Sequence, residues 1–187
     1  MSNFFKNSDL DNIKAESIVS DTLNNCDDGE LYLENSKSES ILLDDNKIKN
    51  SSYSSDLGYG FRAITGEVVA YSHSNDISKD SILKSSENLK DTLKSKKGTY
   101  NHEIPKSNKK YYEDLNPIEE KSQNSKIKIL NEVNNYIRSK GDIVSQVTAS
   151  FLGEHKEIEI IRSNSEVLKD VRPVSYTHLR AHETSSY

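Results

Sequence analysis

Five histidines, His73, His102, His155, His178 and His182, are the side chains of this sequence best suited to hold a metal or to move a proton near neutral pH. A catalytic zinc centre takes three protein ligands, often two histidines one helical turn apart with a glutamate beside them. His178 and His182 have that spacing, and Glu183 follows the second. No third ligand stands near them, and they fall in the last ten residues, which read as an unstructured tail. His102-Glu103 lacks a second histidine four residues on. No metal-binding residues are therefore assigned. Cys26 is the single cysteine, which excludes an internal disulfide and a cysteine-rich zinc module. It lies on the apolar stripe of a helix and reads as a small buried residue. The carboxylate pairs Asp27-Asp28, Asp44-Asp45 and Glu119-Glu120 sit where turns or helix starts are expected. No serine or cysteine is arranged as a nucleophile, so no catalytic residue is assigned.

Gly58-Tyr59-Gly60-Phe61-Arg62-Ala63 matches the loose dinucleotide pattern G-x-G-x-x-G/A. That pattern binds a pyrophosphate only when a helix opens on the glycines. Here Leu57, Tyr59 and Phe61 alternate with Gly58, Gly60 and Arg62, which is the period of a half-buried strand. Thr65-Gly66 is a turn signal, and Glu67 to Tyr71 returns as a second strand. The glycines leave one face of the first strand without side chains, so another backbone can come close. Gly58, Gly60 and Arg62 are the candidate contact residues for a peptide strand or a neighbouring subunit, with strand addition as the physical mode. The competing reading is that these glycines serve twist and packing alone.

The remaining elements follow from period and punctuation. Ser8 or Asp9 is expected to cap a helix running to about Cys26, with Gly29 as its C′ residue. Leu31–Glu34, Ser38–Leu43 and Ile48–Tyr53 read as short strands, with turns at Asn35-Ser36-Lys37 and at Asp44 to Lys47. With the hairpin these make five short strands, antiparallel by default. A helix from about Ser78 carries Ile82, Leu83, Leu89 and Leu93, with Ser85, Ser86, Lys90 and Lys94 nearer water. Residues 97–115 are polar, contain Pro105 and read as a mobile loop between two halves. Asn116-Pro117 starts a short helical piece. A stronger helix with Ile127, Leu130, Val133 and Ile137 follows. The chain then forms a meander: Ile143–Leu152, a turn at Gly153-Glu154-His155, Glu157–Ile161, a turn at Asn164-Ser165, and Val167–Val171. The expected fold is α+β, with helices packed on a mainly antiparallel sheet, in the order helix, five short strands, helix, loop, helix, three-strand meander.

With 187 residues the chain suits one domain, and its net charge of −5 argues against nucleic acid as the main partner. Lys109-Lys110-Tyr111-Tyr112 reads as a solvated loop. Met1 to Asn7 has no apolar core of a secretory signal, and no apolar run reaches the ~20 residues of a membrane helix.

Several blocks, in order, resemble the N-terminal region of the TldD/PmbA family, TldD more than PmbA. They are Glu30–Leu33, Leu43–Tyr53, Asp56–Glu67, Val147–Gly153 and Asp170–Pro173, spread over residues 8–173. The Gly-Tyr-Gly-Phe-Arg-Ala-Ile-Thr-Gly block is the most specific. The resemblance implies a cytoplasmic zinc metalloprotease that pairs with a PmbA/TldE-like subunit and cleaves unfolded or leader-bearing peptides, older usage calling the family modulators of DNA gyrase. It also implies that zinc sits on a His-Glu-x-x-x-His helix, with a later third ligand, in the C-terminal region. No position here matches that motif. The likeness stops after Pro173, and residues 174–187 look like translated adapter sequence. The expectation is thus an N-terminal family domain over 8–173, followed by a non-native, disordered tail over 174–187, inactive by itself. The alternative is a stand-alone, non-enzymatic protein-binding module.

Overall fold

The computed structural model describes residues 4–6, 8–94, 98, 111–141 and 143–183. In chain order these form α1 (Asn12–Leu23), β1 (Asp28–Asp44), β2 (Lys47–Thr65), β3 (Val68–Ser74), α2 (Lys79–Leu93), α3 (Gln123–Arg138), β4 (Val144–Arg162) and β5 (Val167–Glu183). The strands make one sheet in the order β3-β2-β1-β4-β5, and the architecture is α+β with an antiparallel sheet. Two compact units emerge. One gathers Met1–Asn35, Asp56–Tyr111 and Glu157–Val171, the other Ser36–Ser55, Tyr112–Lys156 and Arg172–Tyr187. They are interleaved along the chain instead of being successive halves, because β1, β2, β4 and β5 each contribute a stretch to both.

Strands are fewer and longer than the sequence suggests. Asn35-Ser36-Lys37 does not turn; β1 runs straight through, and the Asn35 amide donates to Glu157 of β4 at 3.3 Å. Gly153-Glu154-His155 likewise stays within β4. Gly153 lies there against Ile118 and Phe151, and His155 is buried. Turn-prone residues are held extended where neighbouring groups occupy their polar atoms or their empty side. The turns that do form are those whose residues tolerate positive φ. Asp45 and Asn46 have φ 47° and 61° between β1 and β2, as a two-residue hairpin turn requires. Gly66 has φ 59° between β2 and β3, and Ser165 has φ 59° between β4 and β5. The tail expected to be disordered is strand as far as Glu183: Val174, Tyr176 and Leu179 lie in β5, where the Ser145 hydroxyl of β4 donates to the His182 carbonyl at 3.0 Å. Most of the loop expected over 97–115, Pro105 included, lies outside the described residues.

In the first unit, α1 packs on α2, and α2 on β3. Odd-numbered residues of β1 and β2, Leu31, Leu33, Tyr59, Phe61 and Ala63, are buried with Ala15, Val19 and Leu23 of α1 and Ile82 and Leu89 of α2. The cap of α1 is Asp11, whose carboxylate accepts from the Lys14 N–H at 2.8 Å, not Ser8 or Asp9. Asp9 instead accepts from the Lys79 N–H at the start of α2 (3.0 Å), and the Ser8 hydroxyl donates to the Ile77 carbonyl. Gly29 is no helix cap either. It lies in β1, where a Cβ would stand 2.5 Å from Leu23 Cδ2 and 2.6 Å from the Arg62 carbonyl oxygen, so only glycine lets the strand come this close. Ser85 and Ser86, expected near water, are buried. Their hydroxyls join Tyr59 (2.7 Å to Ser85) and Thr22 (2.6 Å to Ser86), which satisfies polar groups that burial would otherwise penalise.

The second unit has a smaller apolar centre, with Ile41 and Leu43 of β1, Leu130 of α3 and Ala149 of β4. Ser122 caps α3 by accepting from the Ser125 N–H. The expected helical piece at Asn116-Pro117 is a turn, with Asn116 accepting from the N–H groups of Ile118 and Glu119.

Candidate functional site: a glycine-floored trough on the sheet

The alternation of β2 divides its residues between two faces. Tyr59, Phe61 and Ala63 point into the core, which leaves Gly58, Gly60 and Arg62 on the opposite, outer face. β3 pairs with β2 in the register Gly60↔His73, Arg62↔Tyr71 and Ile64↔Val69. Because two successive outward positions of β2 have no side chain, a shallow depression of about 280 Å³ opens there. Tyr32 and Glu34 of β1 line one side, and Tyr71 and His73 of β3 the other. Asp56 and Asn75 also line it.

The geometry requires glycine at Gly58, which faces backbone, while at Gly60 a side chain would have to displace the exposed Tyr71 ring. A Cβ on Gly60 would lie 2.7 Å from the Tyr71 hydroxyl, and one on Gly58 would lie 2.9 Å from the Ser74 carbonyl oxygen. The Gly60 surface is thus already roofed in part by the Tyr71 ring, an aromatic side chain covering a cross-strand glycine. Tyr71 stacks on His73 with ring centroids 5.7 Å apart, and it remains 63% exposed. The Tyr32 hydroxyl donates to Glu34 at 2.5 Å, which orients that carboxylate.

Arg62 lies beyond the glycine trough on the same face. Its guanidinium bridges Glu30 (3.1 Å) and Asp28 (3.5 Å) of β1. Of the three contact candidates, Gly58 and Gly60 line the depression and Arg62 does not. Arg62 is a cross-strand tie. Spacing alone exposed the two glycines, but Tyr32 and Glu34 reach them only through strand pairing across residues far apart in sequence. Tyr71 carried a local signal, as an outward aromatic in the returning strand.

The residues first considered for chemistry do not converge. The segment after Ala63 continues β2 to Thr65, so no helix opens on the glycines and no dinucleotide cradle exists there. His178 and His182 lie in β5; four residues along a strand span about 13 Å, too far for one zinc ion to reach both. His155 is buried in β4, and His102 lies outside the described residues. Among the described residues no group of three or more His, Cys, Asp or Glu side chains could hold a metal, so they do not fit a zinc centre. Burial pushes the Cys26 thiol above its ordinary value, which makes it a poor nucleophile. Among the described residues no helix is long and apolar enough to cross a membrane.

The fold and its glycine-bearing hairpin define an α+β domain built on an antiparallel sheet. Residues 29–95 match the family model described as PmbA/TldA metallopeptidase domain 1. The chain is 31% identical over 148 residues to a "Metalloprotease TldD homolog" of Buchnera aphidicola subsp. Acyrthosiphon pisum, covering 79% of this chain and 31% of the relative. A protein of the same name from Haemophilus influenzae is 29% identical over 80% of this chain and 32% of its own length. Among solved structures, a protein described as a modulator of DNA gyrase from Bacteroides thetaiotaomicron superposes with a TM-score of 0.64 at 12% identity, over 91% of this chain and 41% of that one. TldE from Thermococcus kodakarensis superposes with a TM-score of 0.58 at 13% identity, over 91% and 43%. These two show likeness of fold. The chain belongs to the TldD/PmbA family. It spans about a third of the length of the curated relatives it matches.

Proposed function

We propose that this chain forms the N-terminal scaffold and subunit-interface portion of a TldD-like zinc metalloprotease. The enzyme acts on unfolded or leader-bearing peptides in the cytoplasm, beside a PmbA/TldE-like subunit. The observation that carries this reading is the 31% identity over 148 residues to a protein named as a TldD metalloprotease, together with the family-domain match at residues 29–95. The geometry is compatible with a scaffold role. Glycines and aromatics that carry the likeness, Tyr59 and Phe61 among them, build the core and the outer trough of one sheet instead of a cluster of acids, bases or metal ligands. In this reading zinc is held by residues other than those described here.

The test extends the coding DNA past the codon for Pro173 and expresses the longer product with its neighbouring PmbA/TldE-like subunit. The expected result is a His-Glu-x-x-x-His segment in the extension and peptide cleavage that is lost to a chelator and restored by zinc. An extension without such a segment, or a pair that cleaves no peptide when loaded with zinc, overturns the reading.

A further inference from the structure

We infer that β3 is a self-complementary docking strand, through which a second copy of this chain extends the sheet by antiparallel pairing. The inference goes beyond the proposed peptidase reading and does not depend on it. β3 ends the sheet, and among the described residues no strand lies beyond it. The two-residue turn at Gly66-Glu67 closes on the pair Thr65↔Val68. Hydrogen-bonded and non-hydrogen-bonded pairs alternate from there, so Val69, Tyr71 and His73 aim their main-chain N–H and C=O groups away from β2. The side chains of the same three residues are exposed, Val69 by 58%. An edge of this kind is a template for another strand unless lysine, proline, a bulge or a covering segment blunts it. Other free stretches of the sheet are blunted in that way. β5, at the opposite end, carries Lys169, Asp170, Arg172 and Pro173, and the part of β2 that β3 does not reach carries Lys47, Lys49 and Asp56. β3 reads Val-Val-Ala-Tyr-Ser-His-Ser, without lysine, arginine, carboxylate or proline, and its register with β2 runs through seven successive pairs without a bulge.

The composition of the strand also selects its occupant. A strongly acidic or basic segment finds no complement in β3, whereas a second copy does. With a two-fold axis at Tyr71, that residue lies opposite Tyr71 of the second copy, and Val69 lies opposite its His73. These are the positions whose main-chain groups point outward, so the pairing adds about six hydrogen bonds. On the exposed face it makes an aromatic pair flanked by two valine–histidine contacts. Glu67 and Asp76, the nearest charged residues, fall outside the paired stretch, opposite Asn75 and Gly66 of the second copy, so like charges do not meet. The contact is isologous and closes on itself. A strand of seven residues makes a small interface, so the dimer is weak, with a dissociation constant in the micromolar range.

The experiment follows the full chain by sedimentation equilibrium over a concentration series, with amide hydrogen exchange read by NMR at both ends of the series. A monomer–dimer equilibrium is expected, and the amides of Val69, Tyr71 and His73 should gain protection only at high concentration. Tyr71→Lys sets two like charges opposite each other across the two-fold and should weaken dimerisation about tenfold, with amide dispersion like that of the parent showing that the variant folds. Tyr71→Glu alone should do the same. An equimolar mixture of the two variants should recover association, which a folding defect would not allow. If either variant loses the parent's dispersion, Val69→Lys carries the test: it should weaken the dimer, and His73→Glu in the same chain should restore it, because the two positions face each other. A chain that stays monomeric to about 1 mM, well above a micromolar dissociation constant, overturns the inference. So does dimerisation that these substitutions leave intact, or protection gained at β5 and not at β3. Cleavage by the extended product beside its PmbA/TldE-like subunit is a separate measurement, and its success or failure leaves this result standing.

Discussion

The two units solve burial differently. In the first, the sheet face and two helices share a large apolar cluster from Phe4 to Ile161, in which buried hydroxyls satisfy one another, and the one buried carboxylate among its described residues, Glu159, is paired with Lys169 at 2.9 Å and accepts from the Asn12 amide. In the second, the apolar centre is small, and beside it lies a mostly buried ion pair: Lys126 of α3 is 2% exposed, bonds to Glu39 of β1 and to the Ile118 carbonyl, and sits 5.2 Å from the centre of the Phe151 ring. Apolar burial is additive and tolerant of small changes, whereas a buried charge is costly the moment its partner is lost. The apolar core of the first unit should therefore fail in proportion to the volume removed, and the region around Lys126 according to whether charges remain paired.

The largest effect sharpens that contrast. Phe61 is completely buried under α1 and α2, so Phe61→Ala should destabilise the chain by about 3–5 kcal/mol in urea denaturation. Hydrogen exchange should show lost protection first in Leu31, Ala63 and Leu89. Equal early loss at Leu130 and Ala149 would break the distinction between the units. Next in size, Lys126→Met leaves Glu39, only 11% exposed, without its cation and should cost about 3 kcal/mol. The double replacement Lys126→Met with Glu39→Leu should recover most of that loss. A double variant as unstable as the single one would show that the ion pair is not what governs this region.

Smaller again is Gly29→Ala. The added methyl meets a backbone carbonyl at 2.6 Å as well as a movable leucine, so about 1–3 kcal/mol is expected from denaturation midpoints. Leu23→Ala in the same chain should relieve part of the strain at Gly29→Ala. No relief would place the clash at the Arg62 carbonyl.

How much of this could be read beforehand follows the same division. The alternation through Tyr59 and Phe61 and the positive-φ turns at Asp45-Asn46, Gly66 and Ser165 are local signals, and they appear where local chemistry puts them, whereas Leu57, in the same alternation, is exposed. Continuity through Asn35-Ser36-Lys37 and Gly153-Glu154-His155 is not local. It depends on Glu157 accepting from Asn35 and on Ile118 and Phe151 lying against Gly153, partners far away in sequence or on another element. Lys126 reads as a solvated residue in any helical pattern, since nothing near it in sequence announces Glu39. The trough divides similarly. Its glycine floor is plain in the sequence, while the Tyr32–Glu34 wall becomes visible only after β1 is placed beside β2.

The smallest effect concerns charge at the surface of the second unit, where pairing should count for least. Asp44 ends β1, and its carboxylate accepts from the side chains of Gln146 and Thr148 of β4, each at 2.9 Å. These two hydrogen bonds, with Lys49 and His182 nearby, hold its pKa below the ordinary aspartate value. A carboxylate whose pKa is lower folded than unfolded stabilises the fold above the unfolded value, and that contribution is lost as pH falls through the folded one. The chain should thus lose a small increment of stability below about pH 4 that Asp44→Asn does not lose, because the amide keeps its shape and has no proton to gain. Urea midpoints of the two proteins, taken from pH 7 down to pH 3, would converge on the acid side. Parallel profiles across the range would mean that the Asp44 charge contributes nothing, and that in this unit only sequestered charge, as at Lys126 and Glu39, governs stability.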